Sequence, residues 1–142
     1  MKNWDYQLAS IGDNIPTLSI KPISRTMLAL YAGASGDHNP IHIDIDFAKK
    51  SGMRDVIAHG MLIMSFMGRA ITNIISQSYI KNFSVKFCSM TQINDILNCS
   101  GIITHKVQNE SSINIIIGLS VHDQNKDEKL NGSVEISIPK SS

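Results

Sequence analysis

A chain of 142 residues fits one domain, and at that length folding buries roughly two-thirds of the extended surface without help from disulfides or a structural metal. Hydrophobic residues make up 42% and charged residues 18%, which excludes a disordered chain. The net charge of +1 gives no electrostatic reason to expect nucleic acid or an anionic membrane as a partner.

Residues 1–6, MKNWDY, are polar and lack the apolar stretch of a secretory leader. The most apolar region, 56–75, is interrupted by His59, Ser65, Arg69, Thr72 and Asn73, too polar for a membrane span. Cys88 and Cys99 belong to no CxxC pair, so neither a disulfide framework nor a cysteine zinc site is indicated. The expectation is a soluble, cytoplasmic protein with one domain over residues 1–142.

Leu18 and Ile20, followed by Pro22, predict a short edge strand, because proline cannot donate to a central ladder. Ser24 is placed to cap a helix through Met27, Leu28 and Tyr31, with Gly33 and Gly36 at its end. Residues 37–42 form a tight loop, since Asn39-Pro40 is a turn signal and the residue before proline is driven out of helical geometry. Asp44 or Asp46 caps a short helix through Phe47 and Ala48, closed by Gly52.

After His59-Gly60 a helix is expected from 61 to about 75. Its polar residues Ser65, Gly68, Arg69, Thr72 and Ser76 fall on one narrow stripe, so it is buried around most of its circumference. Four alternating strands follow. Phe83, Val85 and Phe87 mark the first; Leu97, Cys99, Gly101, Ile103 and Val107 share one face of the second. Ile113, Ile115, Ile117, Leu119 and Val121 mark the third, and Val134, Ile136 and Ile138 the last. Period-two alternation belongs to antiparallel sheets with one buried face. One apolar helix with a long antiparallel meander is an α+β, hot-dog-like arrangement, the sheet wrapped around the helix.

The loop sets a carboxylate, Asp37, and an imidazole, His42, five residues apart across a proline-constrained turn. Such a pair suits general acid/base work, because imidazole titrates near neutrality and the carboxylate offers a second proton position. The same residue types also make ordinary turns. Gly60 sits where the buried helix begins; free amides there stabilise developing negative charge, and glycine admits close approach of a carbonyl. Alternatively Gly60 simply permits a tight helix entry, with His59 capping or packing beside it. His38 and His42 are four apart, but Pro40 between them rules out an undisturbed helical face of the HExxH kind. Neither a metal nor any other cofactor is predicted.

Together, SGDHNPIH (35–42), Asp44, Ala48 and IAHGML (57–62) resemble the MaoC-like, or (R)-specific enoyl-CoA hydratase, family. Phe87 and Asn94-Asp95 echo that family's F-x-x-P-V-x-x-G-D turn. The wording ASGDHNPIH and DVIAHGMLIM is most similar to catalytic subunits of mycolic-acid-type (3R)-hydroxyacyl-ACP dehydratases. The resemblance implies a hot-dog domain that forms a homodimer, or a heterodimer with a related hot-dog subunit. It implies an acyl-CoA or acyl-ACP substrate and reversible dehydration of a (3R)-hydroxyacyl thioester to the trans-2-enoyl thioester. It also implies that Asp37 and His42 are catalytic and that the Gly60 amide polarises the thioester carbonyl, with Asn39, Pro40, His59 and Ser65 in support.

Two departures stand out. Gly68 takes the place of a serine that many members carry on the buried helix, with Ser65 one turn earlier as a substitute. The Pro-Val-x-x-Gly-Asp turn has eroded to Thr91-Gln92-Ile93-Asn94-Asp95, which bears on chain-length preference. The rivals are a hot-dog acyl thioesterase, disfavoured because the buried helix lacks a carboxylate, and a non-catalytic lipid-thioester-binding partner subunit, disfavoured because both members of the Asp/His pair are present.

Overall fold

Five strands form one antiparallel sheet, and a computed structural model describes it through residues 4–140. Residues 1–3, part of the polar opening stretch, and 141–142 lie outside the described residues. The strands are β1 (Leu18–Ser19), β2 (Ile80–Phe87), β3 (Asn98–Gln108), β4 (Ser112–His122) and β5 (Glu128–Pro139), in the order β1-β3-β4-β5-β2. The helices are α1 (Arg25–Ser35), α2 (Ile45–Lys50) and α3 (Gly60–Thr72), with a 3-10 turn at Pro40–His42 between the first two.

The helices begin and end where their caps dictate. The Ser24 hydroxyl accepts the Met27 amide at the head of α1, and Gly36, at φ +76°, ends it with its amide on the Ala32 carbonyl. Gly33 lies within α1 and ends nothing. Asp44, not Asp46, caps α2, its carboxylate accepting the amides of Asp46 and Phe47. Helix α3 starts at Gly60 itself, one residue earlier than the spacing suggests, and stops at Thr72; Ile74 and Ile75 stay buried in the turn beyond.

The core lies between α3 and one face of the sheet. Ile63, Phe66, Met67, Ala70 and Ile71 meet the inward residues of β3, β4 and β5, chiefly Cys99, Ile103, Ile115, Ile117, Val134 and Ile136. Strict alternation of buried and half-buried residues runs the length of β4, as its sequence requires. Fully burying each such aliphatic side chain contributes about 1.5–3 kcal/mol, and this layer supplies most of the drive for wrapping.

Strand β3 departs from its expected pattern. Ile103 pairs with Ile117, but His105 pairs with Ile116, so one extra residue shifts the phase. Val107 is consequently exposed and not on the buried face with Ile103. Lys106 takes the inward phase instead, and its ammonium donates to the carbonyls of Tyr6, Gln7 and Ala9, pinning the N-terminal segment to the sheet.

Strand β2 closes against β5 and leaves its other side as a sheet edge. Here Gly132 is obligatory: a Cβ on it would stand 2.1 Å from the Ser84 carbonyl oxygen. No helix among the described residues is long and apolar enough to cross a membrane.

Candidate active site

The loop after α1 is stiffened by a relay of short side chains. Ser35 Oγ accepts the Asp37 amide at 3.1 Å, Asp37 Oδ1 accepts the Asn39 amide at 3.2 Å, and Asn39 Oδ1 accepts the Ile41 amide at 3.1 Å. Pro40 opens the 3-10 turn, where its missing N–H has no consequence, and the turn carries His42 back towards Asp37. Asn39 and Pro40 therefore position the pair, Asn39 through its amide on Asp37 Oδ1 and Pro40 through the turn alone.

His42 is oriented from behind. Its Nδ1 lies 2.7 Å from the Ile57 carbonyl oxygen. A carbonyl only accepts, so Nδ1 carries the proton, and Nε2 is left as the basic nitrogen. Nε2 stands 4.0 Å from Asp37 Oδ2. That separation is too long for a direct hydrogen bond but allows both groups to reach one small oxygen or carbon between them. The imidazole is largely enclosed, its side chain 12% exposed, whereas Asp37 is 51% exposed and retains access to water.

His59 underlies the pair. It is buried, stacks on His42 with ring centroids 3.9 Å apart, and meets the Tyr31 ring edge-on at 4.8 Å. Its Nε2–H donates to the Asp37 backbone carbonyl at 3.2 Å, so one side chain braces both members. Burial, and then the neighbouring His42 charge, hold the His59 imidazole below its ordinary pKa. It sits at the N-cap of α3 but makes no capping bond. The packing alternative, not the capping one, describes it.

Asp37, His42 and His59 each bring a potential ligand atom within 4.8 Å of the others. Their directions do not suit a metal. Two imidazoles stacked at an interplanar angle of 27° aim their in-plane lone pairs side by side and not at a common centre. In addition, His42 Nδ1 and His59 Nε2 are committed to carbonyls. The geometry suits proton exchange better than metal binding.

Gly60 and His42 line one cavity of about 320 Å³, together with Ile57, Ile63, Phe87 and Thr91 among others. As the first residue of α3, Gly60 presents an amide that the helix cannot satisfy, at the positive end of its dipole. The Phe87 ring covers Gly60 so closely that a Cβ there would meet Cε1 at 3.2 Å. Ser65 is not brought to the site: it lies on the exposed stripe of α3, and its hydroxyl donates to the Leu62 carbonyl at 2.6 Å. Gly68 faces the Phe83 ring, where a Cβ would be in ordinary contact at 3.6 Å.

The opposite wall is the segment 88–91, which continues into a tight turn ending at Asp95. Asn94 adopts φ +71°, doing the work of a glycine, and Asp95 accepts the Gln92 amide at 2.7 Å. The Thr91 carbonyl accepts the Ala58 amide at 2.9 Å, tying this wall to the residues before Gly60. Behind it lies a buried ammonium. Lys129 Nζ donates to the Met90 carbonyl at 3.0 Å and Asp127 at 2.7 Å, with Asp123 at 3.3 Å and Asp95 at 3.7 Å. Burial pushes the Lys129 pKa down, but its bonds to Asp127 and Asp123 more than restore it, leaving it above the ordinary value. Neither Lys129 nor Tyr31 stands in a motif that marks it.

Comparison with known proteins agrees with the geometry. The family described as "MaoC like domain" matches residues 8–125. The (R)-specific enoyl-CoA hydratase of Rhodospirillum rubrum is 34% identical over 86 residues, 59% of this chain and 60% of that protein. The mitochondrial 3-hydroxyacyl-[acyl-carrier-protein] dehydratase of Arabidopsis thaliana is 31% identical over 88 residues, 62% of this chain and 52% of that protein. The aligned region thus spans 52–60% of the length of these curated relatives. Among solved structures, R-hydratase PhaJ1 from Pseudomonas aeruginosa shares the fold with a TM-score of 0.85 at 23% identity, covering 98% of this chain and 88% of that one. The ChsH1-ChsH2 complex from Mycobacterium tuberculosis gives a TM-score of 0.77 at 20% identity, covering 92% and 99%.

Proposed function

We propose, because the chain belongs to the MaoC-like domain family, that it is a hydro-lyase interconverting (3R)-hydroxyacyl and trans-2-enoyl thioesters. The observation that carries this reading is a cavity lined by both His42 and Gly60, with the Asp37 carboxylate 4.0 Å from the free imidazole nitrogen.

In the dehydration direction the C2–H bond breaks, its proton passing to one member of the Asp37/His42 pair. The electron pair moves to form C2=C3, and the C3 hydroxyl departs as water after taking a proton from the pair. Hydration runs the same steps backwards. Enolate-like charge on the thioester oxygen is met by the Gly60 amide at the positive end of α3. Each acid/base role contributes on the order of 100- to 10,000-fold in rate. The relay through Ser35, Asp37 and Asn39 serves as preorganisation.

The substrate is an acyl-CoA or acyl-ACP. The relatives named for CoA and for acyl-carrier-protein thioesters support both carriers. Assembly with a second hot-dog subunit, identical or related, is supported by the open edge of β2 and by the two-subunit ChsH1-ChsH2 relative. A cytoplasmic setting is supported by the free thiols Cys88 and Cys99.

Hydrolysis of the thioester is disfavoured because α3 carries no carboxylate. The test is direct. Purified protein is mixed with trans-2-enoyl thioesters, and loss of the conjugated ultraviolet absorbance is followed beside thiol release. Absorbance loss without free thiol is expected; thiol release without hydration would replace the proposal with the thioesterase reading.

A further inference from the structure

His42 can exchange a proton with substrate only while its Nε2 stays free, and one bond ensures that: Nδ1–H to the Ile57 carbonyl, at 2.7 Å. Stacking on His59 fixes the plane of the ring but not which nitrogen carries the proton. What holds Ile57 is therefore part of the site. Towards the catalytic loop, its amide donates to the Ile41 carbonyl at 3.2 Å. On the other side Ile57 pairs with Gln92, and the Ala58 amide donates to the Thr91 carbonyl at 2.9 Å. Residues 57–58 thus take their position from residues 91–92.

Residues 88–95 belong to no helix or strand of their own and are held from the start of β5. The Lys129 carbonyl accepts the Cys88 amide at 3.0 Å, and the Lys129 ammonium donates to the Met90 carbonyl, also at 3.0 Å. Asp127 and Asp123 hold the same Nζ at 2.7 and 3.3 Å. Asp95, which accepts the Gln92 amide at 2.7 Å, stands 3.7 Å from it. The ammonium therefore grips the segment on both sides of Thr91, at Met90 directly and at Gln92 through Asp95. Such a network is not required for stability alone, since apolar side chains of similar volume often serve a fold as well. Its multiple charge-assisted bonds supply a fixed geometry instead. The Lys129 side chain is 5% exposed and lines the cavity with His42 and Ile57, but its donors are spent on the Met90 carbonyl, Asp127 and Asp123.

We infer that Lys129 is a positioning residue for the acid/base step: its ammonium sets residues 90–92 and, through their pairing with residues 57–58, the carbonyl that orients the His42 imidazole. This rests on the reading of His42 as a proton-exchanging group, but the orientation is measurable without turnover.

Lys129→Met is assayed with a trans-2-enoyl thioester well below its melting temperature, the fold being checked by circular dichroism. A fall in kcat on the order of 10- to 100-fold is expected, the scale for displacing a reacting group by about 1 Å, with KM near the wild-type value. A purely stabilising role would leave kcat of the folded variant intact. Heteronuclear NMR of histidine-labelled protein, with the His42 signals assigned by their loss in His42→Gln, reads the tautomer. The wild type should hold the Nδ1–H form, and Lys129→Met should show a mixture with Nε2–H. Should the methionine variant not fold, Lys129→Gln, which sets a neutral amide among the carboxylates, is expected to show the same two changes. Wild-type kcat in a folded variant, a loss carried by KM, or an unchanged His42 tautomer would each overturn the inference. If the wild type does not hydrate enoyl thioesters, yet the tautomer shifts in the variant, the hydro-lyase proposal fails and the positioning role stands.

Discussion

Replacing Lys129 by methionine removes the one ammonium facing three carboxylates behind the cavity wall. Asp123 and Asp95 retain only 6% and 9% side-chain exposure, so water does not take the place of the lost charge. At separations near 4 Å, an ion pair close to a protein surface is worth about 4 kcal/mol at an effective dielectric of 20. Breaking a buried pair from one side costs about 3–5 kcal/mol, which agrees. For a domain of this size each kcal/mol moves the melting temperature by about 2–4 °C, so Lys129→Met is expected to melt roughly 10 °C lower at neutral pH. The deficit should also depend on pH. In the wild type the ammonium helps hold the Asp127 and Asp123 carboxyls below their ordinary values, so its contribution is full at neutral pH and is lost only as pH falls below the unfolded carboxylate range, where the deficit shrinks. Circular-dichroism melts from pH 7 down to about pH 2 measure both effects. A variant that melts with the wild type at pH 7, or whose deficit grows on acidification, would refute the assignment of Lys129 as the charge that holds segment 88–95.

Two further outcomes follow from local geometry. Gly132→Ala should prevent β2 from pairing with β5, because the added carbon would stand 2.1 Å from the Ser84 carbonyl; urea denaturation is expected to register a loss of more than about 3 kcal/mol, and a loss below 1 kcal/mol would contradict the register. His59, depressed by burial and by His42, takes up a proton more readily when unfolded. Its contribution is therefore full above about pH 6.5 and is lost as pH falls below that unfolded value. Stability curves at pH 7 and pH 5 should differ less in His59→Phe than in the wild type, with His42 and Asp37 as the remaining titratable neighbours; an equal difference would show that another group carries the slope.

Features of fold and site that depend on local spacing could be read from the chain. The alternation from Ile113 to Val121, the caps at Ser24 and Asp44, and the closeness of Asp37 to His42 each involve residues a few positions apart. Helix α3 was legible because its apolar circumference leaves only a narrow polar stripe. The bulge after Ile103 was not, since nothing nearby announces an extra residue; it is the demand of Lys106 for the carbonyls of Tyr6, Gln7 and Ala9 that accompanies it. The far wall was illegible for a similar reason. Thr91 meets Ala58, and Lys129 meets Met90, across separations of 33 and 39 residues, and such contacts appear only once the sheet has curled. Ser65 illustrates the converse: spacing placed it one turn from the expected serine, but the helix face turns it outward.

On the proposed mechanism Asp37 and His42 act as one proton-exchanging unit, and removing either should abolish what the unit does. Asp37→Asn and His42→Gln preserve shape while withdrawing the titrating atom, so turnover of a trans-2-enoyl thioester should fall on the order of 100- to 10,000-fold in each, with melting temperatures near that of the wild type. The double variant should be little worse than the worse single one, because the two groups serve the same step. Wild-type turnover in either folded single variant would contradict the account at its centre.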